Sequence, residues 1–383
     1  MQSTRWGLVA LVFLGGLLAA AQFGKIVLTL PEVAAAFARP ITGVSFLVSL
    51  VGLMGLILGP MAGGLAAALG VGRTFLGGLV LGGAMSLVQA AMPPFWLFAL
   101  SRGVEGLAHL ALVVGGPPVM AAAANDRDRP LVMGLWAVFF GASLAISAQV
   151  FPLLLAAGGL SLLFALHGGM LLALAAVLWS RVPRMSMSAV PLNPLAVHRA
   201  IYGNIRYMAP GLGFVCYTFL FVAAVAFLPV ALDRPSLGTV LPLMTLTTTL
   251  AGGALCRRFA PHHVGAVGYA GTALGALGLM AGLPGAALVS FLFMGLIPGA
   301  SFAAIAAWNA TGGDRARATG AIAQLGNVGT VLGTPVFAAI FAVHGTPALI
   351  WLIVGTSLTG LVLVVWSGRG ASGASRIEMV NVP

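Results

Sequence analysis

The sequence predicts an all-α membrane protein of twelve transmembrane helices, built as two parallel six-helix pseudo-repeats with both termini cytoplasmic. Three observations predict this. Only 25 of the 383 residues are formally charged, and they fall almost entirely between about twelve apolar runs. Seventeen of the 18 basic residues are arginines, and most of them fall on one side of those runs. The second half of the chain also echoes the first in short motifs spaced near half the chain length apart. A bilayer core of ~30 Å needs about 20 apolar residues as a helix. In lipid every backbone polar group must be satisfied within its segment, so helix is the default.

The predicted spans begin after Arg5 with residues 6–30, 42–69 and 74–92, the gaps carrying Glu32, Arg39 and Arg73. Residues 95–124 end at the Asp126–Arg129 loop, and 131–155 and 160–180 end at Arg181. After a basic linker come 209–232, closed by Asp233 and Arg234, and 237–256, closed by Arg257 and Arg258. Runs 264–281, 286–310, 318–342 and 347–367 complete the set, with Asp314, Arg315 and Arg317 between the tenth and eleventh. Nothing outside these runs is long enough for a soluble catalytic domain, so no catalytic residues, cofactor or enzyme activity are expected.

Numbering the spans in order places fourteen arginines on one side, with Arg39 and Arg234 on the other and Arg102 inside a span. The positive-inside rule puts the fourteen in the cytoplasm and requires an even number of helices. The net charge of +11 therefore reads as topology and contact with anionic lipid, not as nucleic-acid binding. Abundant Ala and Gly, with Arg strongly preferred to Lys, suggests a GC-rich bacterial genome, and with the apolar runs the expectation is a multi-pass protein of a bacterial cytoplasmic membrane. Cys216 and Cys256 lie on different helices, and neither they nor His262 and His263 have metal-site spacing.

Asp126-Arg127-Asp128-Arg129 is matched by Asp314-Arg315-Ala316-Arg317, and Ala62-Gly63-Gly64 by Ala251-Gly252-Gly253. Gly134 and Phe151 are matched by Gly320 and Phe337. The matches keep their order and lie near half the chain length apart. They divide the chain into an N-terminal half, 1–181, a cytoplasmic linker, 182–208, a C-terminal half, 209–368, and a cytoplasmic tail, 369–383. Parallel halves with a solute site between them at mid-depth describe one large transporter class.

Over nearly its whole length the chain resembles the major facilitator superfamily. The family's loop after span 2, Gly-x-Leu-Ala-Asp-Arg-x-Gly-Arg-Arg-Arg, corresponds to Gly63-Gly64-Leu65-Ala66-Ala67-Ala68-Leu69-Gly70-Val71-Gly72-Arg73. The glycines and Arg73 remain, whereas the acid and most of the bases are replaced. The family's Arg-x-x-Gln-Gly appears in span 4 as Arg102-Gly103-Val104-Glu105-Gly106. Leu30-Pro31-Glu32 and Gln324-Leu325-Gly326-Asn327 resemble the cyanate/nitroimidazole-transporter branch. The resemblance implies alternating access by a monomer, with spans 1, 4, 7 and 10 lining a central cavity.

Charged side chains within a span are costly and mark functional suspects. Lys25, the only lysine, lies in span 1. Arg102, Glu105 and His109 share one face of span 4, and His167 lies in span 6. Because spans 1 and 4 run in opposite directions, Lys25 and Arg102 reach similar depths in the outer leaflet. Glu105 is the expected proton-coupling group, because a carboxyl that exchanges an arginine neighbour for another setting changes its hold on a proton. His109, whose type titrates near about 6.5, could relay or replace it. Lys25 and Arg102 outnumber the acid and favour an anionic or polar solute.

Gln22, one turn from Lys25, and Gln324 and Asn327 in span 11 add amides to the expected substrate-binding set. Trp136 and Ser143, on one stripe with Phe140 and Ser147, add a wall from span 5. A fixed Arg102–Glu105 pair, with Lys25 reaching toward the interface, is the structural alternative.

The expected function is secondary transport of a small polar or anionic organic solute, coupled to protons. Two alternatives remain open at this stage: a proton-driven exporter of hydrophobic compounds, and a receptor or assembly factor on a transporter fold.

Overall fold

The computed structural model describes residues 3–125, 127–182 and 193–380. Asp126, Arg184, the linker stretch 183–192 and the last three residues of the tail lie outside the described residues. Among the described residues the secondary structure is helical, with no strand. Two compact units form, Met1–Gly55 with Ala62–Leu192 and Leu56–Met61 with Asn193–Pro383.

The first unit contains α1 (Trp6–Val27), α2 (Leu30–Ala36), α3 (Ile41–Val44), most of α4 (Phe46–Leu69), α5 (Val71–Ala90), α6 (Phe95–Ala123), α7 (Arg129–Ala137) and α8 (Phe139–Leu178). Gly70, at φ 87°, turns the chain from α4 into α5 in a conformation that disfavours a side chain. α1 packs against α6 and α8, and α5 packs against the same two helices. Close approach is possible because small residues line the contacts. A Cβ on Gly78 would stand 3.0 Å from the Ala108 carbonyl, and one on Gly106 2.7 Å from that of Val51. Leu8, Val12, Phe75, Leu79, Leu112 and Leu171 fill the core between these helices.

The second unit holds α9 (Pro194–Tyr202), α10 (Ile205–Ala231), α11 (Leu237–Leu255), α12 (Pro261–Met280), α13 (Ala286–Met294), α14 (Leu296–Trp308) and α15 (Gly312–Val380). Asn193 and Asn204 cap α9 and α10, accepting from the amides of Ala196 and Arg206 at 3.1 and 3.0 Å. α15 packs on α10 and α12, and α11 on α14. The predicted tenth span is divided into α13 and α14 at Gly295. Pro298 has no amide to offer the Met294 carbonyl one turn earlier, which loosens the helix there.

Among the described residues, ten helices are long and apolar enough to cross a membrane, against twelve apolar runs in the sequence. The difference arises in α8 and α15, which at 40 and 69 residues each carry two runs. Both are interrupted. Gly158 and Gly159 leave helical geometry in α8, with Gly159 at φ 65°, and Gly345 in α15 sits at φ 68°.

Candidate functional site

The polar interior of the first unit is built around α1. Lys25 lies in its last turn, with Gln22 one turn earlier, and both are fully buried. Lysine is tolerated there because three partners meet it. Its Nζ lies 2.6 Å from Glu105 Oε1 and donates at 2.6 Å to Ser86 Oγ on α5. The ammonium also stands 5.3 Å from the centre of the Phe164 ring, where the ring face favours a cation.

Glu105 is held from several directions. Arg102, one turn earlier on α6, pairs with Oε2, and Gln89 Nε2 on α5 donates to the same oxygen at 2.9 Å. The guanidinium of Arg102 uses its other donors on backbone. Its Nε reaches the Leu47 carbonyl at 3.3 Å and a terminal nitrogen reaches that of Gln22 at 2.8 Å. Arg102 and Glu105 are both fully buried, so two cations share one carboxylate out of contact with water. A buried charge persists only when paired and hydrogen-bonded in this way.

Four carbonyls near the middle of α1 accept side-chain donors, since each carbonyl oxygen has a second lone pair beyond its helix bond. Ser143 Oγ donates to Leu17 at 2.6 Å. His167 Nε2 lies 3.0 Å from the Leu18 oxygen, and His109 Nδ1 lies 3.0 Å from that of Ala19. A carbonyl only accepts, so His167 carries its hydrogen on Nε2 and His109 on Nδ1. The Nδ1 of His167 is left free to accept, and Ser86 Oγ sits 2.8 Å from it. The fourth carbonyl is that of Gln22, bound to Arg102. The His109 ring also packs edge-on against Phe23, centroids 4.9 Å apart.

Gln22, Lys25, Arg102 and Glu105 are thus brought together, with His109 and Ser143 anchored along the same helix. Ser86, Gln89 and His167 join them. Ser86 and Gln89 stand three residues apart in the apolar, glycine-rich stretch that follows Arg73 and Thr74 in α5, a weak signal that the sequence reading passed over. The side-chain amide atoms of Gln22 and the Oε1 of Gln89 have no hydrogen-bond partner among the described residues. Gln22 fits against α5 because residue 82 is glycine. A Cβ there would stand 2.6 Å from its Nε2.

Trp136 lies elsewhere, packed against Gly16 and Gly116 in the apolar core. Gln324 and Asn327 belong to the second unit. Gln324 Oε1 accepts from Tyr202 at 2.7 Å, and its Nε2 lies 3.2 Å from His198 Nε2. Asn327 donates to the Ala323 carbonyl one turn back on its own helix at 2.7 Å.

Among solved structures, the human organic anion transporter MFSD10 (TETRAN) superposes with a TM-score of 0.69 at 18% identity, covering 95% of this chain and all of that one. A bacterial homologue of the human lysosomal transporter Spinster, inward-facing and occupied, gives 0.70 at 12% identity over 98% of both chains. Its inward-facing, unoccupied form gives 0.67 at 13% identity over the same shares. At such identities the likeness is one of fold. No curated protein sequence matches. The Major Facilitator Superfamily profile matches residues 12–244, more than half of the chain, and the chain belongs to that family of membrane transporters.

Proposed function

We propose that the chain is a secondary active transporter that carries a small organic anion together with a proton across a bacterial cytoplasmic membrane. On this reading it crosses twelve times with both termini in the cytoplasm, the breaks at Gly159 and Gly345 serving as turns, and it works as a monomer by alternating access. The branch that includes cyanate and nitroimidazole transporters remains part of the proposal through the Leu30–Glu32 and Gln324–Asn327 motifs.

The observation that carries the solute class is the sharing of Glu105 by Lys25 and Arg102. With all three ionised, the group has one positive charge in excess. A proton on Glu105 removes its only anion and leaves two cations in a low-dielectric interior, where uncompensated charge is costly. An anionic solute relieves that cost. Proton and anion therefore favour each other's binding, a reciprocal coupling, and the two travel in the same direction. A cationic solute would compete with the proton instead. The free amide atoms of Gln22 and Gln89 supply neutral hydrogen bonds to the solute. The organic anion named for the human structural neighbour belongs to the same chemical class.

The test is a reconstituted flux assay with an internal pH dye, challenged with small organic anions, neutral solutes and cations. Inward anion gradients should acidify the lumen, and Glu105→Gln should abolish acidification while tracer exchange of the same anion persists. Alkalinisation driven by hydrophobic cations would overturn the reading in favour of a drug exporter. Saturable binding without flux would overturn it in favour of a receptor.

A further inference from the structure

His109 is half-buried, whereas Lys25, Arg102 and Glu105 have no exposure at all. It is the ionisable side chain through which the polar interior of the first unit meets its surroundings. We infer that His109 Nε2 accepts a hydrogen bond from a hydroxyl of the transported solute, which makes the solute a small hydroxylated organic anion. This inference rests on the reading of the chain as an anion transporter and narrows its substrate class.

The ring is held in one orientation. Nδ1 donates to the Ala19 carbonyl on α1 at 3.0 Å, and the ring packs edge-on against Phe23 with centroids 4.9 Å apart. With its hydrogen on Nδ1, a neutral imidazole presents a bare lone pair at the other nitrogen. Among the described residues, Nε2 has no hydrogen-bond partner. The ring cannot turn its N–H outward without giving up the Ala19 carbonyl.

The neutral groups nearby have the same character. Gln22 Oε1 and Gln89 Oε1 are acceptors without a partner among the described residues, against a single donor, Gln22 Nε2. Gln89 cannot exchange the ends of its amide, because its Nε2 is held on Glu105 at 2.9 Å. Lys25 and Arg102 answer the charge of an anion, but a carboxylate only accepts. Alone, it would set lone pair against lone pair at His109 Nε2 and Gln89 Oε1. A hydroxyl on the same solute supplies the missing donor.

The spacing suits a short molecule. His109 follows Glu105 by four residues on α6, a separation of about 5–6 Å between Cβ atoms. An anionic group that takes the place of ionised Glu105 beside the two cations brings a hydroxyl a few bonds away to Nε2. Phe23 and Phe140, with ring centroids 5.8 Å apart, continue the wall beside His109 and offer apolar surface to the carbon chain.

The test uses pairs of anions that differ by one hydroxyl and do not leak through a bilayer as free acids. Full-length protein in phosphatidylethanolamine–phosphatidylglycerol liposomes is given malate or succinate, and isethionate or ethanesulfonate, and uptake is followed by tracer. Wild type should show a KM about tenfold lower for the hydroxylated member of each pair, the scale of one net hydrogen bond. In His109→Phe the two members should have the same KM. His109→Gln, whose Oε1 still accepts, should restore the preference. A wild type that carries these anions without distinguishing them, or a wild-type ratio in His109→Phe, would overturn the inference and leave anion transport standing. A KM raised equally for both members in His109→Phe would mean that the ring meets the anion as a charge, which would also overturn it. A wild type that carries cations or neutral solutes and none of these anions would overturn both readings.

Discussion

Lys25 and Glu105 meet at 2.6 Å with no part of either side chain exposed, and the loss of one is not equivalent to the loss of the other. Removing Glu105 leaves Lys25 and Arg102 as two buried cations. Removing Lys25 leaves Arg102 and Glu105 as a neutral pair. Breaking a buried pair so that charge is stranded costs about 3–5 kcal/mol, whereas apolar replacement of a buried ion can be close to neutral. Glu105→Gln should therefore lower the melting temperature in detergent far more than Lys25→Met. Equal losses would mean that Lys25 and Glu105 are not electrostatically coupled in the membrane protein.

The same charge count sets the sign of the pH dependence. As pH falls, protonation of Glu105 takes the three-residue group from one net positive charge to two, so anion affinity rises. Tracer counterflow of a transported anion should show an apparent KM that falls as pH is lowered. In Glu105→Gln the KM should be low and independent of pH. A KM that rises with acidity would point to competition between proton and solute, the signature of a cationic substrate.

How much of this was legible in the sequence depends on how rare each signal is. Lys25, Arg102 and Glu105 stand out because charges inside apolar runs are few. Ser86 and Gln89 do not, because hydroxyls and amides are ordinary in helices and only tertiary packing turns them toward a partner. His167 was visible as a lone titratable residue without a known partner. The stripe from Trp136 to Ser143 assumes one continuous helix, but the chain breaks between α7 and α8 at Val138. That break sends Trp136 into the core and Ser143 to the Leu17 carbonyl. Apolar runs likewise located the helices, but the long assignments through Gly158–Gly159 and Gly345 depend on backbone angles that hydropathy does not encode.

Trp136 gives a prediction that separates packing from solute contact. Its ring lies against Gly16 and Gly116, where any added carbon would collide with it, and it is 7% exposed. Trp136→Ala should cost about 3–5 kcal/mol, typical of emptying a large aromatic site in a core, and lower the melting temperature accordingly. At a temperature where the variant remains folded, its KM for the anion should match wild type. A selective rise in KM would assign the ring to the solute path.

The two glycine turns make the last prediction. Gly159 and Gly345 occupy φ 65° and 68° with ψ −162° and −164°, a region that essentially only glycine adopts and that costs an L-residue about 1–3 kcal/mol. Neither would face a steric clash from a methyl group, since nothing lies within 4 Å of Gly159 and only Pro347 Cδ, at 4.0 Å, is near Gly345. Any loss in Gly159→Ala or Gly345→Ala therefore reports backbone strain alone. Gly7 is the matching control, exposed on α1 with nothing within 4 Å, and alanine there should be neutral or stabilising because alanine favours helix. Melting temperatures should fall for the two turn variants and hold for Gly7→Ala. If Gly159→Ala and Gly345→Ala melted like wild type, α8 and α15 would continue as helix through those positions, and the twelve-crossing topology would lose its turns.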